Sequence, residues 1–190
     1  MDTACCFSGY RPQKFSFQLK KDDPQYIRFE NQLLSAIFSM PQKDCYTFYS
    51  GAAMGFDLIA AELVLLLKKS LKGKGKNIQL ICVVPFEDQA KKWPLEWQKR
   101  YNKVLNEADS VVVISKEYHS GCYHRRNKYM VDHSNYIITY YDGKSGGTRN
   151  TLKYAQKSGL TIINIFEQKH VSNFDGVVYI LEKQNQKQQS

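Results

Sequence analysis

The chain lacks the glycine signatures of two common nucleotide enzymes. No Gly-x-Gly-x-x-Gly opens a helix after a strand, and the Gly-x-x-x-x-Gly-Lys-Ser/Thr of a P-loop is absent. Ordinary NAD-dependent oxidoreduction and P-loop ATP hydrolysis are therefore disfavoured. A metal set is missing too: His119, His124, His133 and His170 form no ligand motif. The five cysteines, Cys5, Cys6, Cys45, Cys82 and Cys122, are odd in number and show no metal-type spacing. Four of them sit in or beside apolar, strand-like runs, where a free thiol behaves as a small hydrophobe. A reducing cytosol fits this pattern better than a disulfide framework. Closeness of Cys122 to His119 and His124 in sequence is not the mark of a nucleophilic triad.

Long hydrophobic runs are absent as well. The longest, Leu58 to Leu67, contains Glu62 and is too short to span a bilayer. No basic region followed by an apolar run marks a signal peptide near Met1. The expectation is a soluble, cytoplasmic protein with no membrane partner. Acidic residues are scarce against basic ones, 18 to 27, leaving a formal charge of +9. Such an excess favours polyanionic or phosphorylated partners. The lysine-rich stretch Lys68–Lys76 reads more simply as a solvated turn, marked by Gly73 and Gly75.

What is present is enough for a core. Of the 190 residues 43% are hydrophobic and 13% aromatic, which argues against disorder. Short apolar runs alternate with helical patterns. Strands are expected at Thr3–Phe7, Cys45–Tyr49, Ile78–Val84, Ser110–Ile114, Tyr136–Tyr141 and Leu160–Phe166. Helices are expected at Pro24–Met40, Phe56–Leu71, Leu95–Glu107, Tyr123–Asp132 and Thr148–Ser158. Asp22 or Asp23 caps the first helix and Gly159 ends the last. This alternation predicts an α/β fold: one Rossmann-like, doubly wound, mainly parallel sheet with helices on both faces. One domain over residues 1–181 and a frayed tail over 182–190 are expected, with a weak edge strand at Val177–Leu181.

In such sheets ligands bind beyond the carboxyl ends of the strands. The first strand is followed by Ser8-Gly9-Tyr10-Arg11-Pro12, where Gly9 permits a tight turn and Arg11 can hold a phosphate. The second is followed by Ser50-Gly51-Ala52-Ala53-Met54-Gly55-Phe56-Asp57, opening directly onto a helix whose backbone N–H groups can face an anion. After the third come Pro85, Phe86 and Gln89, then Trp93; Phe86 or Trp93 can stack on a base, and Trp93 can equally pack on its helix. Arg126 and Asn127 follow the fourth strand. Asp142, Gly143, Gly146, Gly147 and Thr148 follow the fifth and form a second candidate phosphate cradle. Asp142 suits a ribose hydroxyl, a metal or, as the safer default, the turn itself.

Five ordered blocks carry a resemblance. Ser8-Gly9-x-Arg11-Pro12, Ser50-Gly51 with Gly55-x-Asp57-x-x-Ala60-Ala61-Glu62, Pro85-Phe86-x-x-Gln89, Arg126-Asn127-x-x-Met130-Val131-Asp132 and Tyr141-Asp142-Gly143-x-x-Gly146-Gly147-Thr148 resemble the YpsA-like family. That family belongs to the SLOG superfamily, named for the DNA-processing protein DprA and the Lonely Guy enzymes. The resemblance spans about residues 4–166. It implies a Rossmann-like fold that binds nucleotides or nucleotide-derived ligands. It also implies pocket roles for Gly9, Arg11, Gly51, Gly55, Asp57, Arg126, Asn127, Asp142, Gly146, Gly147 and Thr148. Lonely Guy enzymes carry Gly-Gly-x-Gly-Thr-x-x-Glu. Here Gly146-Gly147-Thr148-Arg149-Asn150-Thr151-Leu152 lacks the third glycine and the catalytic Glu, which disfavours phosphoribohydrolase activity and keeps the phosphate-cradling half.

Three readings follow. The first is a binding or sensing protein for a nucleotide-like small molecule, with no assigned cofactor beyond that ligand. The second is an enzyme that cleaves an N-glycosidic bond, with Asp57, Glu62 or Asp142 acting at the sugar. The third is single-stranded DNA binding, less favoured because the basic residues are scattered. A homo-oligomer stays open.

Overall fold

The computed structural model describes residues 3–166; the expected edge strand at Val177–Leu181 and the tail at 182–190 lie outside them. The chain runs β1 (Thr3–Ser8), α1 (Pro24–Phe38), β2 (Cys45–Ser50), α2 (Phe56–Ser70), β3 (Gln79–Val84), α3 (Leu95–Glu107), β4 (Ser110–Val113), α4 (Cys122–Asp132), β5 (Tyr136–Thr139), α5 (Gly147–Lys157) and β6 (Thr161–Asn164). Single turns of 3-10 helix occupy Pro12–Lys14 and Met40–Lys43.

The six strands form one sheet in the order β4-β3-β2-β1-β5-β6, and every pairing is parallel. Successive connections step outward from β1 to β4, then the chain returns across the sheet to place β5 on the other side of β1. Right-handed crossovers therefore put α1, α2 and α3 on one face and α4 and α5 on the other. Packing of α1 on α2, α2 on α3, and α4 on α5 agrees. The strand order reverses between β1 and β5, so the crevice expected to bind ligand opens beyond Ser8 and Thr139.

Local signals account for most boundaries. Asp23 caps α1, its carboxylate accepting from the N–H groups of Gln25 (2.8 Å) and Tyr26 (3.4 Å), with Pro24 in the first turn. The helix ends at Phe38 rather than Met40, where Pro41, lacking an N–H, cannot continue the α-helical ladder and the chain passes into the Met40–Lys43 turn. β5 stops at Thr139 rather than Tyr141: the Tyr141 N–H and C=O pair with the side-chain amide of Asn164 instead of a neighbouring strand. β4 departs from the fully buried pattern expected of these strands. Val111 and Val113 are exposed, at 41% and 46%, because β4 is an edge strand and one of its faces lies open.

Phe7, Phe48, Phe56, Leu33 and Ile37 are fully buried at the centre of the core. Phe15, Phe29 and Tyr140 pack ring against ring beside it, with centroids 5.1–5.3 Å apart. This aromatic wedge fixes the segment after β1 against α1. No described helix is long and apolar enough to cross a membrane.

Candidate functional site

The parallel sheet brings the tips of β1 to β5 to one edge, and with them the segments that carry the residues singled out from the strand-end motifs. Gly9 allows the closest approach at the tip of β1. A Cβ there would stand 2.3 Å from the ring of Phe56, the first residue of α2. The next carbonyl, of Tyr10, accepts the Phe56 N–H at 3.0 Å. Ser8 is buried, and its carbonyl accepts the hydroxyl of Thr139.

The loop from β2 into α2 is filled by the protein itself. Ser50 donates its hydroxyl to the carbonyl of Asp57 (2.9 Å) and accepts the N–H of Ala52 (3.1 Å). Gly55, at φ 99°, turns the chain into the helix without a side-chain cap. The carbonyl of Gly51 accepts Nη1 of Arg126 at 2.7 Å and Nε2 of Gln89 at 3.4 Å. Arg126 Nη1 also lies 3.6 Å from Asp57 Oδ2, and both side chains are buried. Burial raises the Asp57 carboxyl above its ordinary range and is opposed by the charges of Arg126 and Arg11. Burial lowers the Arg126 guanidinium and is opposed by Asp57. Asp57 thus sits in the first turn of α2, where a bound anion would otherwise approach the helix dipole.

The loop from β5 into α5 is different. Gly146, at φ 142°, caps the helix with no side-chain hydrogen bond. A Cβ at Gly147 would meet nothing within 4 Å, and one at Gly146 would meet only Nζ of Lys14, at 2.8 Å. Space is thus open at Gly147, beside the Lys14 ammonium, and no side chain caps the helix, whose first-turn N–H groups are the donors an anion would take. Thr148 donates to the Gly9 carbonyl at 3.3 Å, tying this loop to β1. Asp142 is engaged in its own turn: it accepts the Lys144 N–H (3.1 Å), pairs with Lys144 Nζ (2.8 Å) and takes the hydroxyl of Tyr10. Burial works against its ionisation, but the hydrogen bonds from Lys144 and Tyr10 prevail and hold the carboxyl below its usual range. Gly143 is exposed at the rim.

α4 couples the two loops. Arg126 Nε donates to Asn127 Oδ1 at 2.7 Å; Asn127 Nδ2 donates to Thr151 Oγ1 at 2.9 Å; Thr151 donates to the Gly147 carbonyl at 3.0 Å. A continuous polar chain thus runs from the tip of β2 to the first turn of α5.

On the β3 side, Pro85 and Gln89 are buried below the edge, while Phe86 makes edge-on contacts with Tyr118 (5.5 Å) and Tyr123 (6.0 Å). Trp93 packs against Tyr101 of α3 at 5.4 Å, as the helix-packing alternative expects, and its ring also faces the Arg11 guanidinium at 5.8 Å. Glu62 is held bidentately by Arg100 of α3 at 2.6 and 2.8 Å. Cys122 is fully buried, and both ring nitrogens of His119 are engaged, with Ser115 and with the Gly121 N–H. Among the described residues no three His, Cys, Asp or Glu side chains gather in a way that could hold a metal ion.

Several residues at this edge escape the strand-end motifs. Lys14 reaches Gly146, and Tyr10 takes Asp142. Tyr141 Oη and Arg149 Nε are buried without a hydrogen-bond partner among the described residues, and the charge of Arg149 acts on the Tyr141 hydroxyl. Lys14, three residues past Arg11, and Arg149, two past Gly147, were the available sequence signals. A basin of about 540 Å³ lies at the opposite, amino-terminal edge of β3, lined by Leu65, Ile78 and the lysines of the Lys68–Lys76 stretch.

The profile of the YspA SLOG family matches residues 5–170. The chain belongs to this YpsA-type SLOG family. The SPbeta prophage-derived protein YoqJ of Bacillus subtilis is 33% identical over 151 residues, 73% of this chain and 86% of YoqJ. The UPF0398 protein BH1768 of Halalkalibacterium halodurans is 32% identical over 137 residues, 70% of this chain and 68% of that protein. Among solved structures, DNA processing protein A (DprA) of Helicobacter pylori superposes with a TM-score of 0.58 at 16% identity over 86% of this chain. The DprA of Streptococcus pneumoniae gives 0.58 at 14% over 85%. This chain covers 65% and 50% of those two DprA chains, and the likeness is one of fold.

Proposed function

We propose that this SLOG protein binds a nucleotide or nucleotide-derived ligand, holding its phosphate at the first turn of α5. The observation that carries the reading is the uncapped start of α5 at Gly146-Gly147-Thr148, with open space at Gly147, following the strand beside which the strand order reverses. Lys14 and Arg149 supply positive charge there, and the unpartnered Tyr141 Oη and Arg149 Nε are donors suited to phosphate oxygens. Binding is favoured over N-glycosidic cleavage because each carboxylate proposed for catalysis is committed: Asp57 to Arg126, Glu62 to Arg100 and Asp142 to its turn.

Calorimetric titration of the full chain with nucleoside mono- and diphosphates, ADP-ribose, dinucleotides and ribose 5-phosphate tests this. At least one should bind in competition with inorganic phosphate. Gly147→Asp places a carboxylate where phosphate would sit, yet suits a helix start, so it should abolish binding without lowering stability. Absence of binding by every probe, or wild-type affinity in Gly147→Asp, overturns the reading.

A second reading draws on the H. pylori DprA structure, described by its single-stranded DNA binding mode, and on the +9 charge. It requires a gel shift with single-stranded DNA at low salt that weakens steeply as salt rises.

A further inference from the structure

Phe86, Tyr118 and Tyr123 come from two different strand-end segments and converge on one spot, with centroid separations of 5.5, 6.0 and 6.3 Å. They are not core residues: Tyr118 is 65% exposed and Tyr123 is 36% exposed. Two exposed tyrosines gathered over the half-buried Phe86 ring form an aromatic surface outside the core cluster. Beside them the Arg11 guanidinium lies between two aromatic faces, 5.9 Å from the Tyr123 ring and 5.8 Å from that of Trp93. Stacking of this kind holds the cation in place at the site's edge.

The position of this cluster relative to α5 is fixed by helix geometry. α4 and α5 both leave the carboxyl edge of the sheet and run parallel, joined by the Asn127–Thr151 hydrogen bond. Tyr123 lies four residues before Asn127, and Gly147 four before Thr151. Each therefore stands one turn above the same contact and on the same side of its helix. The axes of helices packed in this way lie roughly 8–10 Å apart, a span that the proposed nucleotide would have to bridge.

We infer that Phe86, Tyr118 and Tyr123 form a stacking subsite for the base of a nucleotide unit whose phosphate occupies the first turn of α5, with Arg11 directed to the sugar-phosphate between them. This rests on the phosphate-binding role proposed above and adds the half of the ligand that role leaves undefined. Rings accept the face of any base, so the subsite selects for the presence of a base rather than for its identity. The unit belongs either to a free nucleotide or to a single strand.

The test compares wild type with the Tyr118→Ala/Tyr123→Ala double variant, using ribose 5-phosphate, adenosine monophosphate and a short oligothymidylate as calorimetric probes. Both tyrosines are solvent-facing, and unchanged thermal melting checks that the variant is folded. The nucleotide should bind the variant about tenfold or more weakly, while ribose 5-phosphate binds both proteins alike. Tyr118→Phe/Tyr123→Phe should restore nucleotide affinity, since stacking needs the ring and not the hydroxyl. If only the oligothymidylate binds and shows the same loss, the subsite holds and its base comes from a strand. Equal nucleotide affinity in wild type and the alanine variant overturns the subsite while leaving phosphate binding intact. A loss for ribose 5-phosphate as large as that for the nucleotide overturns it also. If no probe binds wild type, the phosphate reading fails and this inference fails with it.

Discussion

The turns that lead into α2 and α5 look alike in sequence: each follows a strand, contains two glycines and opens a helix with no side-chain cap. In space they are opposites. The α2 turn is packed with the chain's own groups, with the Asp57 carboxylate in the helix's first turn and the Arg126 guanidinium against it. The α5 turn is tied to the tip of β1 through Asp142 and Thr148, and its glycines are bordered by Lys14 at Gly146 and by open space at Gly147. One turn is filled by architecture, and the other is where the proposed ligand would bind. A strand-glycine-helix pattern therefore marks a place where an anion can be held and leaves undecided whose anion it is.

The sharpest way to break this contrast is to empty the α2 turn. Asp57→Asn or Arg126→Met leaves one buried charge alone and should cost about 3–5 kcal/mol in urea unfolding. The double variant should lose less than the sum of the two, because each member makes the other's solitude costly. The glycines come next. Gly9→Ala drives a methyl into the buried Phe56 ring and should destabilise by about 1–3 kcal/mol. Gly147→Ala meets nothing and should leave unfolding within about 0.5 kcal/mol of wild type.

The smallest effect is in acid, and its sign differs between the turns. The Asp142 carboxyl is held low, so its contribution to stability is present above the ordinary carboxylate range and is lost as pH falls through its depressed value. The Asp57 carboxyl is raised, so its contribution is present in acid and is lost as pH rises through its folded value. Urea unfolding at neutral pH and near about pH 4 should therefore show a gentler acid loss in Asp142→Asn than in wild type. Asp57→Asn should show a steeper one.

The alternation of strand and helix was legible because each element carries its own local signal: the Asp23 cap, the stop at Pro41, the apolar run of Ile78–Val84. The edge on which the motifs meet was also legible, since parallel strands share their carboxyl ends. What could not be read was pairing across the sheet. Nothing near Gly51 announces that its carbonyl is received by Arg126, and nothing near Asp142 points to Tyr10. The exposed face of β4 was hidden for a related reason. Val111 and Val113 are apolar like any buried strand residues, and only strand order shows that one flank is open. The aromatic trio drew on segments separated by α3 and β4, which periodicity cannot join.

The Arg126–Gly51 bond spans 75 residues of chain and crosses from the returning half of the sheet to the half already built. Strands β1, β2 and β3 can align as soon as each helical connection between them is made. Arg126 arrives only after the chain has doubled back, when the slow closure of a long loop is complete. Until then Asp57 lacks its counter-charge and the lead to Thr151 and Gly147 is unmade. The contact that joins the two turns is thus one of long sequence separation, so the proposed site depends on both halves of the sheet being in place.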